Sequence, residues 1–185
     1  MNSPLAKSFI SFSNAQIPPF KKKNLRNRKV AHIFATGQLL KIIFMNVQEQ
    51  IKNYIAGQPE PKRSDMQALH QQILKALPKC KLWFLDGKNS EGKVVTNPNI
   101  GYGAYTIKYA DGTSREFYQI GLSANTSGIS VYILGLEDKT YLAKTFGKKV
   151  GKASVTGYCI KFKAVKDINT AILVEAIKYG AAATK

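Results

Sequence analysis

The apolar positions of this chain change period several times between Val47 and Tyr179, and each change predicts an element. Val47, Ile51, Tyr54 and Ile55 share a helical face, and Gly57 stops the run. After the connector Gln58-Pro59-Glu60-Pro61, helical spacing resumes from about Lys62 through Met66, Leu69, Ile73, Leu74 and Leu77, and Pro78 ends it. Cys80–Leu85 is a compact apolar run of strand length. A polar turn over 86–93, then Val94-Val95 and the tight Asn97-Pro98-Asn99, lead into the stretch 101–134 around which the rest is organised.

That stretch predicts three consecutive antiparallel strands. Asp111-Gly112 between runs of Tyr, Ile, Thr and Phe is a strong hairpin signal. A two-residue loop there would set Lys108 opposite Arg115, a destabilising like-charge pair. A three-residue loop, Ala110-Asp111-Gly112 with Gly112 left-handed, instead sets Tyr105 opposite Phe117 and leaves Lys108 diagonal to Glu116. The second register is the one expected. Asn125-Thr126-Ser127-Gly128 returns the chain into a strand where Ile129, Val131 and Ile133 face one way and Ser130 and Tyr132 the other.

Downstream, Glu137-Asp138 open a short helix carrying Tyr141, Leu142 and Phe146, with Gly147 expected as its C′ residue. A last strand alternates Tyr158, Ile160 and Phe162 with Cys159 and Lys161. Asp167 is expected to cap a final helix that ends at Gly180. The order α-α-β-(β)-β-β-β-α-β-α gives an α+β domain with an antiparallel sheet, a three-stranded meander plus flanking strands.

Composition divides the chain unevenly. The 185 residues carry a net charge of +17, and residues 1–44 hold eight Lys and Arg with no acid. Residues 45–185 hold the remaining 20 basic and 11 acidic side chains. The basic segment 1–44 fits a secretory signal poorly, because its block of Lys and Arg follows the short apolar stretch. It fits an organellar transit peptide better. The reading ranked first starts the domain at Met45, since Met45-Asn46 opens directly into the helical pattern, so the expected division is 1–44 as an extension and 45–185 as the domain. Nowhere does an apolar run reach the roughly 18–20 residues that span a bilayer. Cys80 and Cys159 belong to no CxxC or Cys/His cluster and are expected as buried, reduced thiols of a cytoplasmic protein, or of an organellar one if 1–44 is a transit peptide.

Candidate chemistry is sparse. No P-loop, GxSxG, HExxH or GxGxxG is present, so no catalytic residue, cofactor or metal ligand is assigned and an enzyme is not expected. His70 lies beside the apolar stripe of the second helix, and with His32 the one other histidine, a ligand role for it would need carboxylate partners; Trp83 is expected in the core, with a pocket lining as the alternative. The acids are dispersed apart from Glu137-Asp138, where a helix N-terminus accounts for them. The positive feature is a run of lysines: Lys144, Lys148, Lys149, Lys152, Lys161, Lys163 and Lys166. Five of these, Lys148, Lys149, Lys152, Lys161 and Lys163, are the candidate anion-binding residues, Lys161 and Lys163 sharing one face of the last strand. A basic surface can hold phosphate, nucleic acid or an acidic protein. Nucleic-acid modules add Arg and exposed aromatics, and 45–185 has only Arg63 and Arg115, which weakens that class.

Several phrases resemble the YdhG-like family, domain of unknown function 1801. They are the helix pair NYIAGQPEPKRSDMQALHQQILKALP, the Trp-bearing KLWFLDGK, the centre IGYGAYTIKYADGTSREFYQIGLS with ISVYIL, and YLAKTFGKKVGKASVTGYCIKFK with the closing helix. The resemblance covers roughly residues 47–180. Many members carry a Phe-Ser-Pro-Arg-Lys turn where this chain has Leu122-Ser123-Ala124-Asn125-Thr126, so no anion-holding role is implied for that turn. The resemblance implies the α+β fold and, because some members are described as frataxin-like iron chaperones, iron binding or delivery as the alternative to a non-enzymatic binder of an anionic partner.

Overall fold

The computed structural model describes residues 46–184. The proposed start at Met45 and the separation of residues 1–44 lie outside them. The fold is α+β. Two helices, α1 (Val47–Ala56) and α2 (Lys62–Ala76), precede β1 (Leu82–Leu85), β2 (Asn99–Tyr102), β3 (Tyr105–Lys108), β4 (Ser114–Phe117), β5 (Ile120–Asn125) and β6 (Gly128–Ile133). Then follow α3 (Tyr141–Phe146), β7 (Ala153–Val155), β8 (Cys159–Phe162), a 3₁₀ turn (Val165–Asp167) and α4 (Thr170–Ala183). Asn46 caps α1 by accepting the Glu49 amide at 2.8 Å.

Six strands form one antiparallel sheet in the order β1-β2-β5-β6-β8-β7, and β3 and β4 form a separate ribbon. The ribbon continues the pairing of β2 with β5. Tyr102 faces Ile120, and three residues farther along each strand Tyr105 faces Phe117. The expected three-residue loop is present, with Gly112 at φ +82° and the Gly112 amide bonded to the Tyr109 carbonyl. The meander differs from expectation in that both of its first two strands are broken, at Gly103-Ala104 and at Tyr118-Gln119. Gly103 has φ +73°, and a Cβ there would collide with the Gln119 amide. Gln119 is buried and donates from Nε2 to Ala181 O (3.2 Å), Thr184 O (3.1 Å) and Thr184 Oγ1 (2.9 Å), which holds the break to the end of α4.

Strand alternation sorts the sheet into two faces. Ile100, Ile120, Leu122, Ile129, Val131, Ile133, Ile160 and Phe162 point to the face covered by α2 (Met66, Leu69, Ile73) and α4 (Leu173, Ala176, Ile177), and all are buried. Gly101, Gly121, Ser123, Ser130, Tyr132, Cys159 and Lys161 alternate with them on the other face.

Local chemistry corrects several expectations. The cap of α4 is Asn169, whose Oδ1 accepts the Ala171 and Ile172 amides, while Asp167 closes the preceding 3₁₀ turn. Gly180 does not end α4. It is buried inside it, and a Cβ there would run into Ile133, so this glycine lets the helix approach β6 closely. Gly147 is right-handed at φ −54°, so α3 ends without the left-handed C′ residue. Tyr158 lies before β8 and is 51% exposed instead of joining Ile160 and Phe162 in the core. Trp83 is half-buried on the face away from the helices, because its partner across the ladder is Gly101, and its Nε1 donates to Gly103 O at 2.7 Å. Cys80 and Cys159 are free and half-buried, not fully buried, and burial pushes both thiols up.

Candidate anion-binding edge

The five candidate lysines all fall on one side of the domain, around the β7–β8 edge of the sheet. Because Ile160 and Phe162 must point into the core, Lys161 between them points away from the helices. Its cross-strand neighbours are Ser130 on β6 and Ser154 on β7. Ser130 Oγ accepts from Asn125 Nδ2 at 3.0 Å and, with Lys161, eases the burial-driven rise of the Cys159 thiol. Lys163 is the first residue past β8, and Gly128 lies so close to Phe162 O and the Lys163 backbone that no Cβ fits there.

Lys148, Lys149 and Lys152 lie on the segment joining α3 to β7. Val150 is its buried anchor, and the Lys149 and Val150 amides both bond to Phe146 O at 2.9 Å. The segment is pinned to the chain leaving β8: the Lys152 amide donates to Asp167 O (2.9 Å) and the Asn169 amide to Val150 O (2.8 Å). Gly151, at φ +98°, permits this approach, since a Cβ would stand 2.7 Å from Asp167 O. Ala153 pairs with Phe162, so Lys152 and Lys163 each lie one residue beyond the same pair. The backbone therefore brings Lys152, Lys161 and Lys163 to one place, with Lys148 and Lys149 on the adjoining turn. All five are exposed. Lys166 is exposed on the 3₁₀ turn and Lys144 on α3. A long-range bond steadies the arrangement: Asp65 Oδ2 on α2 accepts the Val165 amide at 2.9 Å.

The segment that forms this edge carries no acid of its own; the carboxylates that approach it are Asp65, on the Val165 amide, and Asp138, which feels the charge of Lys144. Between Asp138 and Asp167 the chain carries eight lysines and no acid. Residues 46–184 hold 19 basic and 11 acidic side chains, so the other 11 basic groups are matched by 11 acids and the whole excess resides in 139–166. Arg63 pairs with Glu60 at 3.8 Å and Lys81 with Glu116, both outside this segment. Such a one-signed patch concentrates counter-ions and steers anions toward itself.

The rest of the described surface offers less chemistry. No group of three or more His, Cys, Asp or Glu converges among the described residues. Asp138 Oδ1 accepts the Thr140 amide (2.8 Å) and hydroxyl (2.7 Å), and these bonds hold its carboxyl below the usual range. The partner of His70 is a hydroxyl and not a carboxylate: its Nδ1 lies 2.7 Å from the Tyr102 hydroxyl. The inward-facing Tyr102 between Ile100 and the helices was the available signal, since a buried hydroxyl requires a partner. No helix among the described residues is long and apolar enough to cross a membrane. No family model, curated protein or solved structure matches this chain.

Proposed function

We propose that this domain is a non-enzymatic binding protein for an anionic partner, held along the β7–β8 edge by Lys148, Lys149, Lys152, Lys161 and Lys163. The observation that carries the reading is the run of eight lysines in 139–166 without an intervening acid, on a domain otherwise balanced in charge. Exposed ammonium groups on a pinned backbone suit a polyanion whose repeating charges can be met by several lysines at once. The setting we propose is the cytoplasm, where two free, half-buried thiols stay reduced. The proposed kinship with the YdhG-like family is supported by a helix pair leading into an antiparallel sheet. The iron reading has less support, because Asp138 is already engaged by Thr140.

The test is a fluorescence titration of a short oligonucleotide and of ferrous iron against the wild type and a Lys148→Ala/Lys149→Ala/Lys152→Ala variant. Oligonucleotide affinity should fall steeply with salt, and the variant should flatten the slope by about one unit per lost contact. No oligonucleotide binding below roughly 0.1 mM, the weak non-specific range, would overturn the proposal. Iron binding that survives loss of the lysines and disappears with Glu137→Gln/Asp138→Asn would favour the alternative.

A further inference from the structure

Away from the lysine edge, α1, α2 and β1 border a pocket of about 240 Å³. Its walls are Ile51, Ile55, Leu74 and Leu82; its polar groups are Lys52, His70 and two glutamines, and no carboxylate lines it. The His70 ring is fixed from behind by Tyr102, whose side chain is fully buried and whose hydroxyl has no other hydrogen-bond partner among the described residues. A buried hydroxyl proton without an acceptor is costly, so Tyr102 donates and His70 Nδ1 accepts. In the neutral imidazole the ring proton then sits on Nε2. No described residue takes that proton, and His70 is one of the residues that line the pocket.

We infer that this pocket is a binding site for a small monocarboxylate with a short apolar tail. The carboxylate accepts from Nε2–H of His70 and from the Lys52 ammonium, and the tail packs against Ile51, Ile55, Leu74 and Leu82. Tyr102 acts as a positioning residue: by giving its proton to Nδ1 it keeps the pocket-side nitrogen a donor. A donor set without a carboxylate repels no anion, and four aliphatic walls favour a tail over a fully hydrated ion. The site uses none of the residues of the lysine edge and stands whether or not that edge binds anything.

The test uses the full chain, labelled for NMR, with benzoate as probe and benzamide as its neutral counterpart. In the free protein, long-range proton–nitrogen spectra should show His70 as the Nε2–H tautomer. Benzoate should shift His70 and the methyls of Ile51, Ile55, Leu74 and Leu82. Benzamide should bind about fivefold more weakly, and Lys52→Ala should weaken benzoate by a similar factor, the size of one exposed charged contact. Tyr102→Phe should let the Nδ1–H tautomer appear in a protein that still gives a dispersed spectrum. A wild type already in the Nδ1–H form would overturn the inference. So would equal affinity for benzamide, shifts confined to residues 144–166, or no pocket shift at about 10 mM, beyond the millimolar range open to so small a ligand.

Discussion

The ring of Tyr118 lies across Gly101 on β2: a Cβ at that glycine would stand 2.6 Å from the ring Cγ, and one at neighbouring Gly121 would stand 2.8 Å from Cε2. The two glycines are Cα partners in the β2–β5 ladder, so together they leave a trough one ring wide. Tyr118 is buried in it, and burial holds its hydroxyl well above the usual tyrosine range. Gly101→Ala should therefore destabilise the domain by about 1–3 kcal/mol through overpacking. Denaturant melts of Gly101→Ala, Tyr118→Ala and the double variant check this. The double variant should be more stable than the sum of the two losses, because removing the ring makes room for the methyl.

Asp65 and Val165 are 100 positions apart, and their 2.9 Å bond joins α2 to the turn that follows β8. Asp65→Ala removes an acceptor from a partly buried amide and should cost about 1–3 kcal/mol. Hydrogen exchange localises the effect: the Val165 amide and its neighbours at 164–169 should lose protection first, ahead of the sheet centre. Uniform loss across the sheet would mean that the bond supports the whole fold and not the lysine edge in particular.

The hairpin at 105–117 was legible because the decision is local. The shorter loop would oppose Lys108 and Arg115, and in the register adopted Lys108 faces Ser114 and Arg115 faces Ile107. The break in the same two strands was not legible, because it is set by Gln119 reaching Ala181 and Thr184 more than sixty residues later. Trp83 shows the same limit: an apolar run such as Leu82–Leu85 does not say which face is the core until Gly101 is known to lie opposite. Of the candidate edge, alternation was enough to turn Lys161 outward. Bringing Lys152 beside Lys163 depends on β7 pairing with β8 and on Val150 and Lys152 bonding to 167–169, pairings without a periodic signature in so short a strand.

His70 gives the stability a pH dependence with a definite sign. Burial holds its pKa below the ordinary 6.5. Above pH 6.5 the imidazole is neutral in both folded and unfolded chains, and its contribution is flat. As pH falls below 6.5 the unfolded chain binds a proton that the folded domain still refuses, so stability drops until the lower, folded-state pKa is reached. The drop is less than a full proton's worth because His70 is only half-buried. His70→Gln, which retains an acceptor for Tyr102, should remove this segment of the profile. Urea midpoints at half-unit steps from pH 7 to 5 measure the difference, and His32, present in both proteins, cancels from it.

The lysine edge should cost stability as well as provide binding. Lys148, Lys149 and Lys152 sit on one short turn beside Lys163 and Lys166, with no acid between Asp138 and Asp167, so they repel one another and added salt weakens that repulsion. The Lys148→Ala/Lys149→Ala/Lys152→Ala variant should then melt higher than wild type at low ionic strength. The gap should close as the Debye length shrinks from about 8 Å at physiological salt to about 3 Å at 1 M. The same substitutions should weaken polyanion binding, so stability and affinity move in opposite directions, as expected where a site is held against the preference of the fold. Calorimetric scans at three salt concentrations, paired with the oligonucleotide titration, read both effects on one protein. A variant that melts lower at every salt concentration would show that the aliphatic stems of these lysines pack on the α3–β7 turn, and the charge would then have no cost for binding to offset.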